Sequence, residues 1–89
     1  MEVIWTDPAL ADVETIYDYI VRFHPPGAYH VVAALREAGD SLAVFPYRGR
    51  PVSANVRELA AVHPYIIRYR VGPESVLILR VRHGMRRPG

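Results

Sequence analysis

The chain has 89 residues, of which 51% are hydrophobic and 22% charged, and its net charge is +2 at pH 7. This length predicts one domain, residues 1–89, with a small core. No apolar run approaches the roughly 20 residues that span a bilayer, and the N-terminus lacks the basic and apolar regions of a secretion signal. With no cysteine for a disulfide framework either, we expect a cytoplasmic protein without membrane association.

The small net charge hides a division between the two halves of the chain. Residues 1–47 carry two arginines and seven acidic residues, a net charge of −5, whereas residues 48–89 carry nine arginines and two acidic residues, a net charge of +7. All 11 basic residues are arginines. This usage is compatible with genomic base composition, or with planar, bidentate contacts to carboxylate and phosphate groups.

The N-terminal half predicts a strand followed by a helix hairpin. Residues 3–5 are typical of a short strand, and Asp7-Pro8 indicates an N-cap with proline at the first helical position. Apolar residues then recur at three- and four-residue steps until a helix end near His24. After the break at residues 25–27, Pro26 opens a second amphipathic pattern that continues to Phe45, and Gly39 weakens this helix prediction.

The C-terminal half predicts an antiparallel meander. A loop of about ten residues begins at Pro46, and strand-like segments follow at 57–62, 65–71 and 75–82, separated by turns at residues 63–64 and 72–74. Alternation predicts the inward-facing side chains to be Tyr65, Ile67, Tyr69 and Val71 on the second of these strands, and Leu77, Leu79, Val81 and His83 on the third. We therefore expect an α+β, two-layer β-α-α-β-β-β domain, with an antiparallel helix hairpin on one face of a mainly antiparallel four-stranded sheet.

The same alternation places four arginines on the outer face of the sheet, away from the helices: Arg68, Arg70, Arg80 and Arg82. Such a face is either simply solvated or binds an acidic partner or a phosphate backbone. Arg86 and Arg87 would extend this basic surface. We interpret these six arginines as candidate residues for binding an anion or a target.

The order of elements is accompanied by motifs spread over nearly the whole chain. They include Phe45-Pro46, Gly49-Arg50-Pro51, Arg57-Glu58-Leu59, Pro64-Tyr65, Tyr69-Arg70-Val71 and Arg80-Val81. In order and spacing they resemble the RelE/ParE superfamily of bacterial toxins. This resemblance implies a toxin of a type II toxin-antitoxin pair, neutralised by a protein antitoxin that wraps around it. It also implies one of two activities: ribosome-dependent mRNA cleavage or poisoning of DNA gyrase.

RNA cleavage requires cationic groups and an acid or base around one phosphate. The nuclease branch resembles that scheme, with an arginine early on the middle meander strand and a tyrosine or histidine near the C-terminus. Here Ile66 occupies the middle-strand position, and no tyrosine follows Tyr69. If the chain is a nuclease, its candidate catalytic residues are Arg57, Arg68, His83 and Arg86. The incomplete match favours a non-enzymatic gyrase inhibitor.

Other candidate residues have plainer structural explanations beside the functional ones. Tyr19 lies on the polar side of the first helix, and Arg48 and Arg50 lie in the long loop, so all three are candidates for partner binding. His83 is compatible with a packed histidine, and Arg57-Glu58 with an internal ion pair. The remaining histidines have no spacing typical of a metal site, so we predict no metal and no cofactor.

Three functions remain open from the sequence. The first is a toxin that binds DNA gyrase, the second is a ribosome-dependent mRNA interferase, and the third is a non-toxic interaction or co-repressor protein. In each case we expect an acidic antitoxin that folds as it binds. Contact with operator DNA is expected only through that antitoxin.

Overall fold

In the computed structural model, residues 1–84 are described. The strands are β1 (Glu2–Trp5), β2 (Arg50–Ser53), β3 (Val56–Val62), β4 (Tyr65–Val71) and β5 (Ser75–His83), and the helices are α1 (Asp7–Val21) and α2 (Pro25–Asp40), the second followed by a 3₁₀ turn at Ser41–Ala43. Both helices pack on one face of a single sheet, which confirms the two-layer α+β prediction. Neither helix of this part of the chain is long and apolar enough to cross a membrane.

The sheet has five strands rather than the expected four, in the order β1-β5-β4-β3-β2. β1 runs parallel to β5, and every other neighbouring pair is antiparallel. The additional strand is β2, which lies within the segment expected to be a loop. Its shortness and its proline, Pro51, hid it from the sequence pattern, but proline is tolerated on an edge strand, where one side needs no ladder hydrogen bonds.

Both helices begin with a side-chain cap that the sequence did not indicate. The N-cap of α1 is Thr6 rather than Asp7, because the Thr6 hydroxyl accepts a hydrogen bond from the backbone N–H of Ala9. The same hydroxyl donates to the carbonyl oxygen of Ile78 at 2.6 Å, which fastens the start of α1 to β5. At the start of α2, His24 Nδ1 accepts a hydrogen bond from the backbone N–H of Gly27 at 2.7 Å.

The helices are also shorter than predicted. α1 ends at Val21 instead of near His24, and α2 ends at Asp40 instead of continuing to Phe45. The 3₁₀ turn after α2 carries the fully buried Leu42, whereas Phe45 is exposed. The apolar pattern therefore continued past the helix end because the turn also contributes to the core.

A β-bulge in β5 changes which side chains enter the core. Arg80 pairs with Arg68 and Ile78 pairs with Tyr69, so Leu79 has no partner in the register. Before the bulge Val76 and Ile78 point inward, and after it Val81 does. The prediction that Leu77 and Leu79 face the helices was wrong, because alternation along a single strand does not reveal an inserted residue. The inward prediction for β4 is confirmed, with Ile67, Tyr69 and Val71 buried.

Gly39 is explained by the packing of Trp5 on α2. A Cβ atom added at Gly39 would collide with Cζ2 of the Trp5 indole. The indole is held in place by a hydrogen bond from its Nε1 to Asp40 Oδ1 at 3.1 Å and by the Arg36 guanidinium, 5.6 Å from the ring centroid. Glycine thus lets β1 and α2 approach closely, although it is a poor helix former.

We therefore expect Gly39→Ala to lower the free energy of unfolding by about 1–3 kcal/mol, the usual cost of overpacking, despite the gain of about 1 kcal/mol in helix propensity. Urea unfolding measures the change. In a Trp5→Leu background the collision is removed, so the same substitution should be neutral or stabilising. An equal loss in both backgrounds would show that Trp5 is not the reason for the glycine.

Candidate functional site

Glu58 lies at the centre of the outer sheet face and binds three arginines. It is the register partner of Arg50 on β2 and of Arg68 on β4. Arg50 Nη2 lies 3.1 Å from Glu58 Oε1, and Arg68 Nη2 lies 2.9 Å from Glu58 Oε2. Arg82 on β5 donates from Nη2 to both carboxylate oxygens, at 3.3 and 3.2 Å. One carboxylate therefore links four of the five strands.

The burial of Glu58 comes from the arginines themselves. Both helices pack on the opposite face of the sheet, yet the Glu58 side chain is only 4% exposed. The three arginines bonded to it are 33–72% exposed. Their side chains thus lie across the sheet, cover the carboxylate and form the surface. We call the five outward-facing arginines of this face the arginine platform: Arg50, Arg68, Arg70, Arg80 and Arg82.

The electrostatics of Glu58 follow from two opposing effects. Burial alone would raise its pKa, but hydrogen bonds and charge from Arg82 and Arg68 outweigh burial and hold the pKa of Glu58 below its ordinary value of 4.5. The carboxylate is therefore ionised at neutral pH. It neutralises only part of the positive charge around it.

Two further members of the platform differ in their pairing. Arg80 forms a bidentate pair with Asp12 of α1, at 2.8 and 3.0 Å, and Asp12 also accepts a hydrogen bond from the backbone N–H of Val81 at 2.8 Å. This N–H lies beyond the point where β1 stops pairing with β5, at Trp5 and Ile78. Arg70 is exposed and forms no side-chain hydrogen bond or ion pair with residues 1–84.

Arg57 lies on the other face of the sheet and does not pair with Glu58. It is opposite Tyr69, and its Nη1 donates to the carbonyl oxygens of Gly49 at 2.7 Å and Tyr47 at 3.3 Å. The Tyr69 hydroxyl accepts a hydrogen bond from the backbone N–H of Gly49 at 2.8 Å. Arg57 and Tyr69 therefore hold the loop before β2 against the sheet.

A cleft of about 630 Å³ separates α1 from the ends of β4 and β5. Tyr19, a predicted partner-binding residue, lies here; it is 53% exposed and packs edge-to-face on Phe23. His83 is half-buried, and its ring centroid lies 5.6 Å from that of its register partner Tyr65. The cleft is lined by Asp12, Thr15, Ile16, Tyr19, Tyr65, Arg68, Arg80, Val81, Arg82 and His83.

The predicted site residues thus fall into separate groups. The platform brings together Arg68, Arg70, Arg80 and Arg82 as expected and adds Arg50. Arg48 donates to the Ser41 hydroxyl at 2.9 Å and lines a second, smaller pocket beside Arg50, Glu58 and Arg82. Arg86 and Arg87 lie outside the described residues.

Sequence reasoning missed the roles of two acids. Glu58 lies directly beside Arg68 on the outer face, but this is visible only once the register between β3 and β4 is known. The helical spacing puts Asp12 on the polar side of α1, and because β1 ends at Trp5 this side chain reaches β5. Both acids bring negative charge to the outward-facing arginines, which the alternation of arginines along the strands does not reveal.

Comparison with known proteins agrees with this architecture. Residues 3–88 match the family described as ParE toxin of type II toxin-antitoxin system, parDE. The chain is 48% identical over 85 residues to "Toxin RelE2" of Caulobacter vibrioides, covering 96% of this chain and 97% of that protein. It is 42% identical over 81 residues to "Putative toxin Y4kP" of Sinorhizobium fredii, covering 89% and 83%.

A solved structure, described as a chromosomal ParDE TA system from P. aeruginosa, superposes with a TM-score of 0.82 at 31% identity, over 93% of this chain and 95% of that one. The protein belongs to the ParE toxin family, within the RelE/ParE superfamily. It is the toxin of a type II toxin-antitoxin system, and its partner is an antitoxin.

The Glu58 cluster leads to a prediction about stability and pH. Because the folded-state pKa of Glu58 lies below its ordinary value, its ionisation stabilises the fold above about pH 4.5, and this contribution is lost as the pH falls through the lower folded value. Glu58→Gln should therefore lower the free energy of unfolding by about 1–3 kcal/mol at pH 7, and by less near pH 3. Urea unfolding at both pH values measures this.

The matched control is Asp18→Asn, which makes the same acid-to-amide change at an exposed position of α1. We expect it to change stability by less than about 1 kcal/mol. A loss for Glu58→Gln that does not exceed this control, or that stays constant down to pH 3, would contradict the proposed role of the carboxylate.

Proposed function

We propose that this toxin arrests growth by binding DNA gyrase without catalysing a reaction, and that its antitoxin holds it inactive. The observation that carries this proposal is the separation of the candidate nuclease residues. Arg57 lies on the helix side of the sheet and donates to two backbone carbonyls, whereas Arg68 lies on the outer side and binds Glu58. These two arginines do not converge on one phosphate.

The pairing of the remaining arginines supports the same conclusion. Stabilising a cleaving phosphate calls for cationic groups aimed at the charge that develops in the transition state. In the cleft, Arg80 is engaged by Asp12, and Arg68 and Arg82 are engaged by Glu58. Each of these guanidiniums is oriented by a carboxylate, which lowers the positive charge that a phosphate in the cleft would meet.

The cleft beside α1 suits the antitoxin. It combines apolar and aromatic surface from Ile16, Tyr19 and Tyr65 with the exposed guanidinium of Arg80. An amphipathic segment could place its apolar side against the rings and its carboxylates against the arginine. We propose that an acidic antitoxin segment folds in this cleft as it binds, and that operator DNA is contacted only through the antitoxin.

Ribosome-dependent mRNA cleavage is the second candidate, and one observation favours it. His83 and Tyr65 line the same cleft as Arg68, Arg80 and Arg82, so an acid or base and cations do lie near one another. On that hypothesis His83 would be the proton donor.

The first test uses purified toxin in a gyrase supercoiling assay. We expect loss of supercoiling, or trapping of cleaved DNA, at micromolar toxin, and release of the inhibition by the antitoxin. His83→Gln serves as the discriminating variant, because removing a general acid or base costs a nuclease about 10²–10⁴-fold in rate but leaves non-enzymatic gyrase inhibition unchanged. Normal supercoiling with wild-type toxin and active gyrase would contradict the proposal.

The second test follows thymidine and amino-acid incorporation separately after induction in cells. Gyrase inhibition predicts that DNA synthesis fails first, with no new codon-linked 5′ ends on translated transcripts by primer extension. Early failure of protein synthesis that is abolished by His83→Gln would instead establish mRNA cleavage. Unaffected growth would point to a non-toxic interaction or co-repressor protein.

A further inference from the structure

The arginine platform has the properties of a site for the phosphate backbone of duplex DNA. The five arginines of the platform face two carboxylates, those of Glu58 and Asp12, which leaves three positive charges uncompensated on one sheet face. Within residues 1–84 both helices pack on the opposite face, and α1 reaches the platform only at the β5 edge, where Asp12 binds Arg80; Arg70 forms no side-chain ion pair in this part of the chain. The excess positive charge on this face is therefore accessible to a large anionic partner.

Glu58 gives the platform its rigidity. A guanidinium carries five N–H donors in a fixed plane. Arg50 and Arg82 each use only Nη2 to bind the Glu58 carboxylate. The donors that remain are held at the surface by the buried anion beneath them. A prearranged set of donors loses less side-chain entropy on binding phosphate than free arginines would.

The rest of the face distinguishes between classes of partner. Within residues 1–84, the outward positions of the five strands carry no aromatic side chain, so unpaired bases would find no ring on which to stack. An amphipathic acidic peptide needs an apolar groove, and that feature belongs to the cleft beside α1 rather than to this face. Regularly spaced phosphates of a duplex require only cations on an open surface.

We propose that the arginine platform binds the phosphate backbone of duplex DNA, without reading its sequence, and thereby lets the toxin contact the DNA that gyrase holds. The part of this inference that concerns gyrase rests on the function proposed above. Glu58 acts as a positioning residue, which orients the arginines and at the same time lowers the net charge that the DNA meets.

Fluorescence anisotropy with a labelled duplex of arbitrary sequence tests the proposal without gyrase. With about three phosphates neutralised, the affinity should fall about 40-fold between about 50 and about 200 mM KCl. Arg70→Ala should weaken binding by about five-fold and reduce the salt slope by about 1. The matched control is Arg22→Ala, which removes another exposed arginine, this one at the end of α1, and should leave binding unchanged.

Glu58→Gln separates a positioning role from a merely structural one. Removing the carboxylate frees the arginines, so it should weaken duplex binding several-fold in folded protein even though it raises the net charge by one. Asp18→Asn, which raises the net charge equally on exposed α1 surface, should not weaken binding. Equal losses for Arg70→Ala and Arg22→Ala would overturn the proposal. So would an Arg70-dependent affinity for a glutamate homopeptide that duplex DNA does not share, because the ligand would then be an acidic protein.

The gyrase assay distinguishes the two proposals. If wild-type toxin binds the duplex in an Arg70-dependent way but leaves supercoiling intact, the platform is supported and the gyrase function fails. If the toxin inhibits gyrase, and Arg70→Ala and Arg22→Ala inhibit equally while neither changes duplex affinity, the platform proposal fails and the gyrase function stands.

Discussion

The outer face of this toxin depends on the ion pairs between the carboxylate of Glu58 and three arginines. A bare sheet face carrying five arginines would repel itself, and a buried carboxylate on such a face would be costly without partners. The two costs offset each other, because the arginines and the carboxylate are ion-pair partners. The arginines cover the carboxylate, the carboxylate draws the arginines together, and because they come from neighbouring strands the cluster also ties β2, β3, β4 and β5 to one another.

A second acid performs a related task at the other side of the sheet. β1 is short, so on that side β5 has no neighbouring strand beyond Ile78. Thr6 and Asp12 satisfy this exposed edge, the first by donating to the Ile78 carbonyl and the second by accepting from the Val81 N–H. Both belong to the segment that begins α1, so the helix is positioned by the strand it crosses. The cleft between α1 and β5 exists because β1 ends at Trp5, whereas α1 continues past the end of β1.

These two acids divide the surface into regions of different character. Beside α1 there is a cleft with rings, apolar side chains and arginines already engaged in ion pairs, and on the outer face there is a surface with excess positive charge. An antitoxin and a target therefore need not compete for identical contacts. Arg68, Arg80 and Arg82 line the cleft as well as the platform, however, so occupation of the cleft alters the electrostatics of the outer face.

The sequence by itself determined the two-layer α+β class, the helix hairpin, the meander and the arginine-bearing face, because these depend on local periodicity and on Pro and Gly breaks. Its motifs also indicated the toxin superfamily. The five-strand sheet, the bulge at Leu79 and the caps at Thr6 and His24 were decided only by tertiary structure. The same holds for the arginine partners of Glu58 and of Asp12, since ion pairs between residues 8 to 68 positions apart depend on strand register and helix placement. Neither the register between strands nor the placement of a helix can be inferred from the pattern along one strand.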